Sequence, residues 1–274
     1  MISKHLDNIK DKLQSFLVLW GLNIQNITPT VLIILPGFGD PYWDDKIAIL
    51  RKNLEVFNSY NWDYTIQIQH YSLDKQFPPE IKNNPRIKII SEKGILARNI
   101  HVHASVNKVK KYDYIMLLLD DVELVSPIDW GNIIATMKSH DLDVVSPCFP
   151  SQMSYWDFMV HDPSDPQLML RVVSKCELFC YLMTLDAYKR YFEFIDPMNP
   201  WMWGMDFMLR SHMKLNVGIL NQVFMIHHYP RLQDTHDAAH DPRKDLMIYL
   251  EKYGINWDEL LEQETDILKI RCAS

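Results

Sequence analysis

The stretch from 112 to 124, "YDYIMLLLDDVEL", runs through six apolar residues from Tyr114 to Leu119 and then presents Asp120, Asp121 and Glu123. A hard divalent cation such as Mg²⁺ or Mn²⁺ takes oxygen ligands and keeps positions open for substrate phosphates, so carboxylates at a rigid strand end suit it. If strand alternation continues past the apolar run, Asp121 and Glu123 share one side and Asp120 points to the other. Acids are also common where strands meet water, so the cluster has a plain structural reading as well. A second candidate is His227, beside His228 at the end of "VFMIHH". Alternation lets one of the two enter a given site, and a neutral imidazole can complete a mostly carboxylate Mn²⁺ site. A lone histidine closing a strand is more often merely structural, so the pair gains weight only from what accompanies it.

Asp206, in "WMWGMDFML" (201 to 209), falls in the first turn of a helix opened by Gly204, off the face formed by Met205, Met208 and Leu209. There a carboxylate could simply complement the helix dipole. It could also be a general base on a rigid element, framed by Trp201 and Trp203, whose flat faces suit sugar rings. In "EKGILARN" (92 to 99), Arg98 and Asn99 lie early in a helix, where arginine and free backbone N–H groups both suit phosphate oxygens; an exposed helical arginine is the plainer alternative. Two other patterns carry little. "HDAAH" (236 to 240) spaces two histidines like a zinc protease but has Asp237 where glutamate is needed and no amphipathic helix around it, and "GFGD" lacks the third glycine of a dinucleotide fingerprint.

The elements that must position these residues follow from hydrophobic periodicity. "TVLIILPGFGD" (30 to 40) reads as a buried strand stopped by Pro36, Gly37 and Gly39, and "DKIAILRKNLEVFNSY" (45 to 60) has helical spacing at Ile47, Leu50, Leu54 and Phe57. Strands are expected at 63 to 72 and 86 to 92, and one helix over 94 to 112 that leads into the acidic stretch. This β-α-β alternation builds a mostly parallel central sheet flanked by helices, with ligands beyond the carboxyl ends of its strands. After it come a helix at 130 to 140, a strand at 142 to 149, a pair of strands within 168 to 184 and a helix at 185 to 195. A strand over 216 to 231 is followed by a helical remainder. The expected fold class is thus α/β, a Rossmann-like single domain over 30–231, with a smaller antiparallel portion. An N-terminal helical extension (1–29) and a C-terminal helical extension (232–274) pack on it.

Composition narrows the partners. With 274 residues, 47% of them hydrophobic, the chain can bury a sizeable core, and a net charge of −7 argues against a general electrostatic grip on nucleic acid. Four cysteines without a common zinc spacing read as reduced thiols. "SFLVLWGL" falls far short of the roughly 20 residues needed to cross a bilayer. No transmembrane segment is expected, and a soluble, cytoplasmic protein is the expectation.

In order and together, these motifs resemble those of nucleotide-sugar-dependent glycosyltransferases of the GT-A fold. "ARN" is similar to the Ala-Arg-Asn of many members, the acidic strand end to their D-x-D motif, "WGMD" to their W-G-x-D segment, and His227 to the histidine that often completes their metal site. The most similar group is an uncharacterised plant family with "YDYIF", "HGWGLDMKL" and "NVGVVDSEYIVHQ". Where its pattern has the first aspartate this chain has Leu119, so Asp121 matches the later acid and either Asp120 or Glu123 replaces the missing one. The resemblance implies a Mn²⁺ (or Mg²⁺) ion on Asp121, Glu123 and His227. It implies donor contacts from Pro36, Gly37, Arg98, Asn99, Asp120, Trp203 and Gly204, and Asp206 as catalytic base. The implied reaction is transfer of a sugar from a nucleoside-diphosphate donor, UDP first among them, to a hydroxyl of a glycan acceptor with inversion. A sugar nucleotidyltransferase would use the same sheet and acids, but it wants a glycine-rich basic loop where "PGFGDPYWDD" is acidic. A non-catalytic carbohydrate-binding or scaffold protein on the same fold would be served by the eight tryptophans too.

Overall fold

The apolar run after Thr30 is a strand covered on both faces: in β1 (Thr30–Phe38), residues Val31 to Leu35 are at most 4% exposed. The computed structural model describes residues 28–59, 62–125, 127–151, 156–228, 242–262 and 268–271. From β1 the chain turns into helix α1 (Trp43–Asn58), which buries Ile47, Leu50 and Phe57 at the expected spacing. It continues through β2 (Asp63–His70), the short helix α2 (Pro79–Lys82) and β3 (Ile87–Ser91). The single helix expected over 94 to 112 is instead two, α3 (Leu96–His103) and α4 (Val106–Val109). Ser105 adopts extended backbone between them, and the buried Tyr188 hydroxyl donates to the Ala104 carbonyl at the break.

β4 (Tyr114–Leu118) is the buried body of the opening motif. Then follow β5 (Val122–Val125), α5 (Trp130–Ser139), β6 (Val144–Cys148), β7 (Leu168–Val173), β8 (Cys180–Thr184), α6 (Leu185–Phe192) and α7 (Met205–Met208). The last elements are β9 (Val217–His227), α8 (Pro242–Lys252), α9 (Trp257–Glu262) and β10 (Leu268–Arg271). One mixed sheet runs in the order β10-β7-β9-β6-β8-β4-β1-β2-β3, with β5 added to the far end of β9. The half β4-β1-β2-β3 is parallel throughout, and β8 enters antiparallel between β4 and β6. α3 packs on β1, α1 on β5 and α6 on β8, so helices cover the sheet.

Two expectations about strands are corrected. β7 and β8 do not pair with each other: β8 lies between β4 and β6, whereas β7 lies between β9 and β10. The segment 168 to 184 is therefore two sheet members far apart, because each apolar strand finds a different pair of neighbours. The "ILKI" end of the chain, read as helix, supplies Leu268–Arg271 as an edge strand antiparallel to β7. The expected N-terminal helix over 1–29 and the "HDAAH" segment lie outside the described residues, apart from the last two residues of the former. Among the described residues no helix is long and apolar enough to cross a membrane.

Candidate active site

At the carboxyl ends of β1 and β4 lies a cleft of about 1100 Å³. Its lining includes Gly37, Asp120 and Asp121 from the strand ends, Trp201 through Gly204 with Asp206, and Leu246 and Met247 from α8. The acids are placed by a turn. The Leu119 amide donates to the Phe179 carbonyl at 3.0 Å and the Val122 amide to the Leu119 carbonyl at 3.3 Å, so β4 ends and the chain reverses through Asp120 and Asp121. α1 then fixes β5: the buried Asn53 amide donates to the Val122 carbonyl and its oxygen accepts from the Leu124 N–H, both at 2.8 Å.

Each acid meets a different partner. Asp120 Oδ2 accepts the Gly39 amide at 3.1 Å and lies 2.8 Å from Lys46 Nζ. Burial raises its carboxyl, an effect that Lys46 opposes and the Asp121 charge reinforces. Asp121 lines the cleft and its Oδ2 lies 3.0 Å from Nε2 of His227, which stands behind the lining; Asp121 Oδ1 and His227 Nδ1 are both buried without a hydrogen-bond partner among the described residues. The His227 ring sits 4.6 Å, centroid to centroid, from Phe179. Polar atoms left so in a protein interior are costly unless something else satisfies them, and a carboxylate with an imidazole is a donor set that fits Mn²⁺.

Glu123 does not join them. It sits 2.8 Å from both Lys52 Nζ and His228 Nε2, outside the cleft lining, and these partners hold its carboxyl below the ordinary range even though burial acts the other way. The expected common side for Asp121 and Glu123 fails because Asp121 is in the turn, and strand alternation begins only at Val122. Among the described residues no three His, Cys, Asp or Glu side chains gather as a metal-binding group.

Asp206 lies in the first turn of α7, half-buried on the cleft wall. Gly204 precedes it with φ +77°, a left-handed backbone that glycine alone adopts readily, and a Cβ there would stand 2.6 Å from Leu246 Cδ1. Burial and the neighbouring Glu177 carboxylate push the Asp206 carboxyl up to about 7, against the backbone N–H groups of Asp206 and Phe207 and the Lys175 ammonium, which pull it down. Lys175 itself is buried, 4.3 Å above the Trp156 ring and 5.3 Å from the Phe207 ring. Trp203 is 43% exposed at the cleft.

The remaining expected donor contacts divide. Gly37 lines the cleft. Pro36 and Asn99 are a pillar behind it: buried Asn99 donates to the Pro36 carbonyl at 2.8 Å and to the Gly94 carbonyl at 3.2 Å, tying the end of β1 to the approach of α3. Arg98 is exposed, 3.6 Å from Glu92, and is not part of the lining. Sequence reasoning missed Lys46 and Tyr71. Lys46 had a signal, since it falls four residues before Leu50 on the core face of α1. Tyr71 lines the cleft, donates its hydroxyl to the Asp40 carbonyl, and has its phenol pushed up by burial and by Asp120, Asp40 and Asp121. Its ring fills the space beside Gly39, where any Cβ would come within 2.5 Å of it.

No protein-family model matches the chain, and no curated protein matches it in sequence. Solved structures do resemble it. GalNAc-T7, crystallised with UDP, GalNAc and Mn²⁺, aligns with a TM-score of 0.64 at 12% identity over 87% of this chain and 50% of that one, so the chain spans about half the length of that protein. A197 from STIV aligns with a TM-score of 0.42 at 18% identity, covering 73% of this chain and 85% of that one. The catalytic domain of Drosophila β1,4-galactosyltransferase 7, in complex with xylobiose, has a TM-score of 0.42 at 12% identity over 80% and 79% of the two chains. With its parallel half-sheet, inserted antiparallel strand and flanking helices, the chain has a GT-A-like glycosyltransferase fold, in one domain.

Proposed function

We propose that the chain is a metal-dependent glycosyltransferase that moves a sugar from a nucleoside-diphosphate donor, a UDP-sugar, to a hydroxyl of a glycan acceptor with inversion. The observation that carries this reading is the cleft itself, which sets Asp206 on its wall together with the acidic turn after β4; burial and Glu177 push the Asp206 carboxyl up to about 7. Such a base accepts protons well near neutral pH, and strongly displaced carboxyls in clefts are characteristic of active sites. Its place beyond the carboxyl ends of parallel strands is where α/β sheets hold ligands. The fold shared with GalNAc-T7 supports the reading by analogy, since fold alone does not fix chemistry.

In this mechanism Asp206 takes the proton of the acceptor hydroxyl as its oxygen bonds to the anomeric carbon. The bond from that carbon to the diphosphate breaks with its electron pair on the departing oxygen, through an oxocarbenium-like transition state. One base on the face opposite the leaving group gives inversion. Trp203 and Trp201 offer apolar faces of the kind that pack on sugar rings, and Gly204 keeps the backbone between Trp203 and Asp206 close to α8. Asp121 and His227 would hold the divalent ion, their buried unpartnered atoms being the fit, and a bound ion neutralises charge on the diphosphate. Incubation with a panel of nucleotide sugars and Mn²⁺ tests this: free nucleoside diphosphate accumulates with one donor for the native chain, and Asp206→Asn keeps donor binding while losing transfer. Transfer close to normal in that variant removes Asp206 from its role.

A further inference from the structure

Lysines on amphipathic helices ordinarily carry their ammonium into water. Lys46 does the opposite: it is 6% exposed, on the core face of α1, and lines the cleft. Its Nζ donates to the Gly39 carbonyl at 2.7 Å and pairs with Asp120 at 2.8 Å. A buried charge is costly unless matched, and the match here is complete in sign, since one carboxylate offsets one ammonium. It is incomplete in donors. An ammonium has three N–H groups; among the described residues two are engaged, which leaves one to offer an occupant of the cleft.

Asp120 already has a cation, so the acidic turn contributes Asp121 with His227 as its metal-binding pair and carries Lys46 as a second, fixed positive charge. A diphosphate bears more negative charge than one divalent ion cancels. We propose that Lys46 is a diphosphate-binding cation of this cleft: its ammonium, held at the end of β1 by Asp120 and Gly39, contacts the phosphate oxygens, so that the nucleoside diphosphate binds without a metal as well as with one. This rests on the nucleotide-sugar reading above and adds to it the group that grips the phosphates in the ion's absence.

Titration calorimetry with UDP and with uridine, in Mn²⁺ and in EDTA, tests it. In EDTA the native chain is expected to bind UDP about tenfold to a hundredfold more tightly than uridine, the range of one hydrogen bond to a charged group. Lys46→Met is expected to abolish that preference. Because Lys46→Met leaves Asp120 buried without its cation, the double variant Lys46→Met/Asp120→Asn, which removes both charges, serves beside it. Equal affinity of the native chain for UDP and uridine in EDTA overturns the proposal without recourse to any variant, and so does a UDP preference that persists in the double variant. If the native chain binds no UDP even with Mn²⁺, the nucleotide-sugar reading itself fails, and this proposal with it.

Discussion

Replacing Asp206 with asparagine should stabilise the protein in a pH-dependent way while it abolishes transfer. The carboxyl moves from its ordinary 3.8 to about 7 in the folded chain. That is roughly three units on the pH scale, and at about 1.36 kcal/mol per unit it sets an upper bound of ~4 kcal/mol. The sign follows from linkage. Below pH ~4 the carboxyl is protonated in both folded and unfolded chains and costs nothing. As the pH rises from ~4 to ~7 the unfolded chain ionises and the folded one resists, so stability falls, and above ~7 the full penalty is present. Asparagine has no such titration. The difference between Asp206→Asn and the native chain should therefore grow from near its acid baseline at pH 4 to as much as ~4 kcal/mol more by pH 8, or about 7 °C in Tm for a chain of this size. Urea unfolding of both proteins at pH 4, 6 and 8 reads this directly. A difference that stays constant across that range refutes the placement of Asp206 in a charge-averse wall.

Other outcomes follow from individual contacts. Asp121→Asn should weaken Mn²⁺ binding at least about tenfold by calorimetry, whereas Glu123→Gln should leave it within about twofold, because Glu123 is held by Lys52 and His228. Asn99→Ala should cost about 1–3 kcal/mol in urea unfolding by leaving the buried Pro36 carbonyl unpaired and the part-buried Gly94 carbonyl without its second tie, while Arg98→Ala stays within about 0.5 kcal/mol. Gly204→Ala should cost about 1–3 kcal/mol for its φ of +77° alone and displace Leu246, lowering both Tm and transfer. Trp203→Ala should raise the acceptor KM in a transfer assay, since the residue lines the cleft and is 43% exposed there.

The parallel half of the sheet was legible because β1 and β4 are apolar at nearly every position, a pattern that only a doubly covered strand sustains. From there the acids had to lie at the strand ends, as Asp120 and Asp121 do. Period-2 alternation puts Asp121 and Glu123 on one side only if the strand is unbroken, and the turn at Asp120 and Asp121, which the sequence does not mark with glycine or proline, breaks it. β10 was read as helix because four residues of "ILKI" fit either period, and only pairing with β7 decides it. The separation of β7 from β8 depends on neighbours distant in sequence, which local pattern cannot supply. Lys46 looked like one more helical lysine, although its register with Leu50 and Asn53 pointed inward.

Anomalous scattering from crystals grown with Mn²⁺ and UDP locates the ion and the diphosphate together. The expected result is a manganese peak beside Asp121 and His227, with the diphosphate of UDP next to it and to Lys46. An acidic turn that keeps its Asp121–His227 contact intact, with UDP absent from the cleft or lodged elsewhere, would contradict it.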